Sequence, residues 1–316
     1  MSTVIVTGAS GYIGGQISLM LKDAGHTVVG IDRRNYPRGL DGVFDRFVHN
    51  DFASGPGLNC LITTRPDAII HCAGTSLVGP SIKNPDEYYE NNVVKTLKML
   101  DIVCQALPKT RVIFSSSAAV YGTPIMTPCH EVDPREPISP YGESKLMIEM
   151  IMESYHRAYG LDYVAFRYFN ACGADPLARH GQEPMATHII ARALESLRDN
   201  QPFTLNGVDY PTEDGTCVRD YVHVEDIARA HLLALHHKIP SGVYNLGAGS
   251  GTSNAQIIEL AQRITEKQLN VVMGQRREGD PAVLTASSDK FNLLAGAWRH
   301  HNLDDIVKHA WKWYNR

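Results

Sequence analysis

Residues 3–14 read TVIVTGASGYIG: a short β-branched run, then Gly8, Gly11 and Gly14 at the opening of a segment with helical period. Gly8 permits a tight turn, Gly11 lets backbone N–H groups approach a pyrophosphate, and Gly14 allows a helix to pack closely on the strand. The spacing GxxGxxG departs from the usual GxGxxG. Its place at the first strand–helix junction nevertheless points to a bound dinucleotide, with Tyr12 and Ile13 as further contacts inside the turn. Asp32 ends the second strand, 18 residues after Gly14. A carboxylate there binds adenosine ribose hydroxyls and repels a 2′-phosphate, which favours NAD. Arg33 and Arg34 follow at once, and because an arginine can hold that extra phosphate, Arg33 keeps NADP open.

Outward from this turn, β-branched runs alternate with longer helical segments, the signature of crossover units in a parallel sheet. Strands are expected near Val4–Thr7, Thr27–Ile31, Ala68–Cys72, Arg111–Ser115 and Tyr163–Tyr168, with helices near Ile13–Ala24, Pro85–Leu107 and Tyr141–Tyr159. The expected fold is α/β, a Rossmann-type doubly wound parallel sheet whose ligands sit beyond the carboxyl ends of the strands. After Asn170 the rhythm changes. Gly173–Pro184 reads as a loop, Ala186–Asp199 as a helix, and Phe203–Leu205 and Thr216–Arg219 as short strands of a smaller, mixed α/β substrate domain. Val243–Leu246 reads as a return to the sheet. The expected division is therefore 1–168 with 221–247 for the cofactor, and 169–220 with 248–316 for the substrate.

A chain of 316 residues suffices for about two domains. Thirty Lys and Arg against 34 Asp and Glu give a net charge of −4, which offers no broad cationic surface for nucleic acid. The six cysteines form no CxxC pair, no cationic leader precedes the first apolar run, and no 18 apolar residues run together. A reduced, cytoplasmic chain without a membrane span is expected. The fourteen histidines include the adjacent pairs His236-His237 and His300-His301, but no HExxH or Cys/His knuckle, so no metal is expected.

YGESK at 141–145 places a phenol and an ammonium four residues apart on one helix face. A tyrosine titrating near 10 is a poor base at neutral pH. Lowering it by about three units takes roughly 4 kcal/mol in favour of the phenolate, which a lysine cation in a water-poor cleft can supply and a cationic nicotinamide can increase. The strand at Val112–Phe114 runs into SSSAAVYG, 115–122, where a hydroxyl can bond the same substrate oxygen as Tyr141. Ser117 is the candidate for that role, whereas Ser115 reads more simply as satisfying the loop.

TGASGYIG, SSSAAVYG, YGESK, RYFNACGADP (167–176), DYPTEDGTCVRDYVHVEDIA (209–228), YNLGAG (244–249) and RREGDPA (276–282) occur in this order. Together they resemble the extended short-chain dehydrogenase/reductase superfamily and, within it, the UDP-glucose 4-epimerases. The resemblance implies NAD held throughout the cycle, a UDP-sugar substrate and a homodimer paired through the long helices. In such a site Tyr141 removes the proton of the sugar 4-hydroxyl, Lys145 lowers its pKa and holds the nicotinamide ribose, and Ser117 shares the hydroxyl proton. The resulting 4-keto sugar turns over and is reduced on its other face. By the same resemblance Asp51 contacts adenine with Phe52 beside it. Cys72, Ala73 and Gly74 line the pyrophosphate region, Asn91 and Ser115 lie on the cofactor side, and Tyr168 faces the nicotinamide. For the nucleotide sugar the candidates are Asn170, Arg219, Arg277 and Asp280, with Arg219 and Arg277 clamping the diphosphate and Asp280 accepting ribose hydroxyls.

The family often has an aromatic residue and a lysine where Cys72 and Ser76 stand, and usually Asp-Asn where Asp32-Arg33 stands. Leu284 falls where some members carry a bulky tyrosine, which implies room for an N-acetylated sugar. Ala118 and Ala119 stand where dehydratases carry an Asp-Glu pair, an argument for epimerisation. Rival readings are a 4-epimerase of another UDP-sugar (UDP-N-acetylglucosamine or a UDP-pentose), a nucleotide-sugar dehydratase or decarboxylase, and a non-catalytic NAD-sensing protein.

Overall fold

The structure, a computed structural model, describes residues 1–184, 187–236, 239–276 and 280–316. Strand β1 (Thr3–Thr7) is almost wholly buried and pairs in parallel with β2 (Thr27–Asp32) on one side and β4 (Ala68–His71) on the other. β3 (Arg46–His49) extends the sheet beyond β2, while β5 (Arg111–Ser117), β6 (Tyr163–Tyr168) and β10 (Gly242–Leu246) extend it beyond β4. The order is β10-β6-β5-β4-β1-β2-β3. Every pairing is parallel, and the chain reverses its direction of travel between β1 and β4, which opens a crevice above their carboxyl ends. The expected doubly wound sheet is observed.

Helix α1 (Tyr12–Asp23) starts at an extended Gly11, and α2 (Gly55–Thr64) is capped by the Ser54 hydroxyl with proline in its first turn. α3 (Val78–Lys83) and α4 (Pro85–Tyr88) lead into a π-helical turn over Tyr89–Val94 and then into α5 (Lys95–Ala106). The helix expected over Pro85–Leu107 is thus interrupted. The wide turn buries Asn92, whose amide accepts from Thr75 N–H at 2.7 Å and donates to the Ser144 hydroxyl at 2.9 Å. These cross-links satisfy a buried polar side chain within the irregular turn.

Helix α6 (Pro140–Tyr159) has proline in its first turn, a Ser139 cap on Gly142 N–H and a left-handed Gly160 at its end. Its Ile148 and Met152 pack with Val112, Phe114 and Ala165 of the sheet, each worth roughly 1.5–3 kcal/mol of burial. The catalytic candidates on its first turns are therefore held by core packing further along the same helix.

Beyond β6 the second sheet centres on β9 (Val218–His223), with β7 (Asn170–Cys172) and β13 (Val283–Leu284) parallel and β11 (Gly251–Ser253) antiparallel to it. β8 (Phe203–Asn206) pairs with β12 (Val271–Gly274). Helices α7 (Ile189–Asp199), α9 (Asn254–Thr265) and α11 (Leu303–Tyr314) enclose a core of Leu194, Leu197, Ile257, Ala261, Val307 and Ala310. α8 (Val224–Ala234) returns the chain to the large sheet against α1, and α10 (Asp289–Ala295) follows β13.

Some boundaries differ from expectation. The strand read at Thr216–Arg219 runs from Val218 to His223, and the helix read from Ala186 starts at Ile189, Ala186 itself lying outside the described residues. Phe291 and Trp298, which the expected division gives to the smaller domain, pack with Phe166 and Tyr244 in the core of the large sheet.

Candidate active site

The glycine turn lies at the carboxyl end of β1, above the crevice. Gly8 takes φ +71°, and a Cβ there would lie 2.7 Å from the Ala73 nitrogen, while one on Gly14 would run into the Gly8 carbonyl. The bare backbone that results is a cradle a side chain would fill. No side chain caps the N-terminus of α1 at Gly11, and this first turn suits a pyrophosphate. The buried Asp32 carboxylate accepts from Ser10 N–H at 2.9 Å and Arg34 N–H at 2.8 Å, so it is fixed at the end of β2. The arginine beside the turn is Arg34, whose Nε lies 3.5 Å from Asp32. Arg33 is exposed, and its carbonyl faces His49. These residues fit a dinucleotide with unmodified ribose hydroxyls.

Further along the crevice, Asp51 and Asn91 meet through a lysine that sequence reading passed over. Lys95 Nζ donates to Asp51 Oδ2 at 2.7 Å and to Asn91 Oδ1 at 2.8 Å, and Asn91 donates to Thr75 Oγ1. Partial burial opposes ionisation of Asp51, but Lys95 and the Ala53 N–H outweigh it and hold the carboxyl below its ordinary range. The spacing of Asn91 and Lys95, one helical turn, is the signal available in the sequence. Phe52 is buried edge-on against His71.

Tyr141 and Lys145 sit one turn apart at the start of α6, opposite the end of β5. Lys145 is 5% exposed, donates to the Ser115 carbonyl at 2.8 Å and lies 5.8 Å from the centre of the Tyr141 ring. The Ser117 hydroxyl is close enough to the Tyr141 phenol to lower its pKa, and accepts from Ala119 N–H. Behind them Ser115 bonds the Tyr168 hydroxyl at 2.9 Å and Cys72 Sγ at 3.1 Å, and Tyr168 bonds His231 Nε2 at 2.7 Å. Burial pushes the Cys72 thiol up to about 11. A Cβ on Gly74 would lie 2.8 Å from Asn92 Oδ1 and 3.9 Å from Lys145 Nζ, and one on Gly8 would strike Cys72 and Ala73, so Cys72–Gly74 lies between the glycine turn and Lys145.

Burial dominates the electrostatics of both groups. Burial pushes Tyr141 above its ordinary value, and the Ser117 hydrogen bond offsets this only in part. Burial also lowers Lys145 to about 8, with Cys72 and Glu149 opposing that shift. For the phenol the net direction is upward, and burial is its largest cause.

On the other side of the crevice, Asn170 donates to the Asp220 carbonyl at 2.9 Å. Arg219 Nη2 pairs with Asp280 Oδ1 at 2.5 Å, so two residues expected to act on different parts of a nucleotide hold each other in the chain alone. Asp280 borders a cleft shared with Arg192, Phe203, Asn206 and Asn254. Leu284 follows on β13 and packs, half-buried, against the cluster that contains Ala118, Val120, Tyr121, Cys129, Phe169 and Ala286. Arg277 lies outside the described residues. The two sides are joined where the Tyr12 hydroxyl donates to the Gly173 carbonyl at 2.7 Å and His180 Nε2 meets the Tyr12 carbonyl at 2.9 Å.

A doubly wound sheet with a glycine turn, a buried carboxylate at the end of β2 and a Ser–Tyr–Lys constellation defines a dinucleotide-dependent enzyme of the short-chain dehydrogenase/reductase type. The chain belongs to the NAD dependent epimerase/dehydratase family, whose sequence profile matches residues 4–247. It is 42% identical to the UDP-glucose 4-epimerase of Halalkalibacterium halodurans, covering 98% of this chain and 95% of that one. The UDP-glucose 4-epimerase of Azospirillum brasilense is 40% identical, over 98% and 91% of the two chains. Among solved structures, the UDP-glucose 4-epimerase of Brucella ovis in complex with NAD superposes with a TM-score of 0.90 at 37% identity, over 99% of this chain and 98% of that one. The UDP-Glc/GlcNAc 4-epimerase of Campylobacter jejuni gives 0.84 at 32%, over 100% and 99%.

Proposed function

We propose that this chain is an NAD-dependent UDP-glucose 4-epimerase that interconverts UDP-glucose and UDP-galactose through a transient 4-keto sugar. The observation that carries this reading is the meeting of Ser117, Tyr141 and Lys145 at the carboxyl edge of β5, facing the glycine turn across the crevice. Relatives of that name match nearly the full chain.

Gly8, Gly11, Tyr12, Ile13 and Gly14 hold the pyrophosphate, Asp32 the adenosine ribose, and Asp51 the adenine edge. NAD, when bound, supplies the hydride acceptor for C4 and a cationic ring that offsets the burial of Tyr141. Tyr141 takes the proton of the sugar 4-hydroxyl and returns it after the keto sugar has turned. Ser117 bonds the same oxygen, and Lys145 orients the nicotinamide ribose while favouring the phenolate. Arg219 releases Asp280 to grip the diphosphate, freeing the carboxylate for a ribose hydroxyl, and Asn170 steadies the sugar side. Ala118 and Ala119 place no acid or base beside the substrate, which supports epimerisation over dehydration.

The test is NMR of purified protein with UDP-galactose, UDP-N-acetylglucosamine and UDP-xylose, with no NAD added. UDP-galactose should convert to UDP-glucose, and absence of any C4 epimer overturns the reading. The half-buried Leu284, a smaller side chain than a tyrosine, favours turnover of UDP-N-acetylglucosamine as well. A flat time course with that sugar, while UDP-galactose reacts, removes this second activity.

The protein acts as a homodimer. Val78 and Ile82 of α3, Val94, and Met147 and Met150 of α6 are exposed on helices that pack together, an apolar surface suited to a second copy. Light scattering at micromolar concentration should give twice the chain mass. All six cysteines are free thiols, which fits a reducing cytoplasm, and among the described residues no helix is long and apolar enough to cross a membrane.

A further inference from the structure

Beside the joint between the glycine turn and the smaller sheet, three imidazoles from distant parts of the chain converge. His223 ends β9, His301 lies just before α11, and His309 stands within it. One ring nitrogen of each lies within 4.8 Å of the others. His223 Nε2 is 3.0 Å from His309 Nδ1, and the His223 and His301 rings stack with centres 4.1 Å apart. His301 Nε2 is 2.9 Å from Glu225 Oε2, while the other Glu225 oxygen lies 3.7 Å from Arg229.

We propose that His223, His301 and His309 form a three-histidine binding site, completed by solvent, for one borderline divalent transition cation of the zinc, cobalt or nickel type. His223 Nδ1 accepts the Glu225 N–H at 3.0 Å, so by the hydrogen-bond network its proton sits on Nε2 and points at His309 Nδ1. The centre of the cluster is therefore held by protons shared between nitrogen and nitrogen, and between nitrogen and carboxylate. A divalent cation breaks those hydrogen bonds and takes one nitrogen of each ring as a ligand. Tetrahedral zinc with bonds of about 2.0–2.1 Å needs nitrogens about 3.3–3.4 Å apart. The observed 3.0 Å pair and the 4.8 Å outer limit bracket that separation, so side-chain adjustments suffice.

The surroundings hold the donors in place. The N–H groups of His300 and His301 donate to the two oxygens of Asp226 at 2.8 and 3.1 Å. Asn302 and Asp305 form a reciprocal cap that fixes the start of α11, and so the position of His309. His223 is 1% exposed against Gly173, where a Cβ would lie 2.9 Å from the ring. His301 and His309 are half-buried and give the cation a way in from solvent. Three imidazole nitrogens suit borderline metals and serve magnesium or calcium poorly. One cost is visible. A cation on His223 Nε2 moves the ring proton to Nδ1, where it meets the Glu225 N–H, and α8 gives up that capping contact. The histidine pairs alone suggested no metal, because the ligands at 223, 301 and 309 form no local motif.

The test uses the holoenzyme after dialysis against a chelator, titrated calorimetrically with Zn²⁺ and with Mg²⁺, and with Co²⁺ followed by visible absorption. We expect one Zn²⁺ per chain, no heat from Mg²⁺ and the intense d–d band of tetrahedral Co²⁺. His301→Gln and His309→Gln, with circular dichroism unchanged, should each weaken Zn²⁺ by about 100-fold or more, while His300→Gln, next door, should leave it unchanged. A stoichiometry well below one, or wild-type affinity in both ligand variants, overturns the site.

Discussion

Two turns of α6 handle buried charge in opposite ways. Glu149 is 2% exposed and fully engaged: Arg167 forks onto it through Nη2 at 2.7 Å and Nε at 3.0 Å, and the Ser116 hydroxyl donates at 2.5 Å. Burial works against the Arg167 charge, yet Glu149 outweighs it and holds the guanidinium above its ordinary range. One turn earlier Lys145 is just as buried but has the Ser115 carbonyl as its close partner, and burial lowers it to about 8. The first arrangement ties β6 to α6. The second leaves a charge under-compensated, and beside it a phenol pushed up, in the crevice at the carboxyl end of β5.

The sharpest test of that contrast is Tyr141→Phe. It should cut epimerisation by about 10³–10⁴-fold and leave the urea midpoint unchanged, whereas substantial remaining activity would mean that the phenol is not the base. Arg167→Leu should do the converse. It strands Glu149 without its partner and should cost about 3–5 kcal/mol in urea unfolding, and a loss below 1 kcal/mol would show that the pair is not structural.

Lys145→Met comes next, with an expected loss of about 10²-fold in kcat. Its stability should move the other way. The folded chain gives up the Lys145 proton near pH 8, below the ordinary 10.5, so between these values the unfolded chain binds more protons and wild-type stability rises with pH. The variant lacks that rise. At pH 7 it should unfold at an equal or higher urea concentration than wild type, and this advantage should shrink toward pH 10.5. A clear drop at pH 7 would contradict the idea of an under-compensated cation. The smallest effect belongs to Tyr12→Phe, which removes the bond to Gly173 and should cost about 1 kcal/mol, together with faster loss of NAD on dialysis.

Much of this was legible in the chain because it is local. The buried strands announce themselves as β-branched runs, and the glycine turn and the Tyr141–Lys145 spacing each lie within one junction or one helical turn. β3 escaped because RFVH is a short, charged edge strand. α2 escaped because Gly55-Pro56-Gly57 looks like a loop until Ser54 is seen capping it. Lys95 looked like an ordinary helix lysine. Its place between Asp51 and Asn91 depends on a strand end 44 residues away.

The sequence alone determined which groups are available: a bare glycine turn, a carboxylate at the end of β2, a hydroxyl at the end of β5, and a phenol and an ammonium on the first turns of α6. Periodicity and glycine spacing act over a few residues, so they survive in a linear reading. The tertiary structure decided how acidic those groups are, that Arg219 pairs with Asp280, and that three histidines face one another. Desolvation and pairing depend on neighbours that only folding brings together, and a side chain's free energy of ionisation is set by those neighbours rather than by its place in the chain.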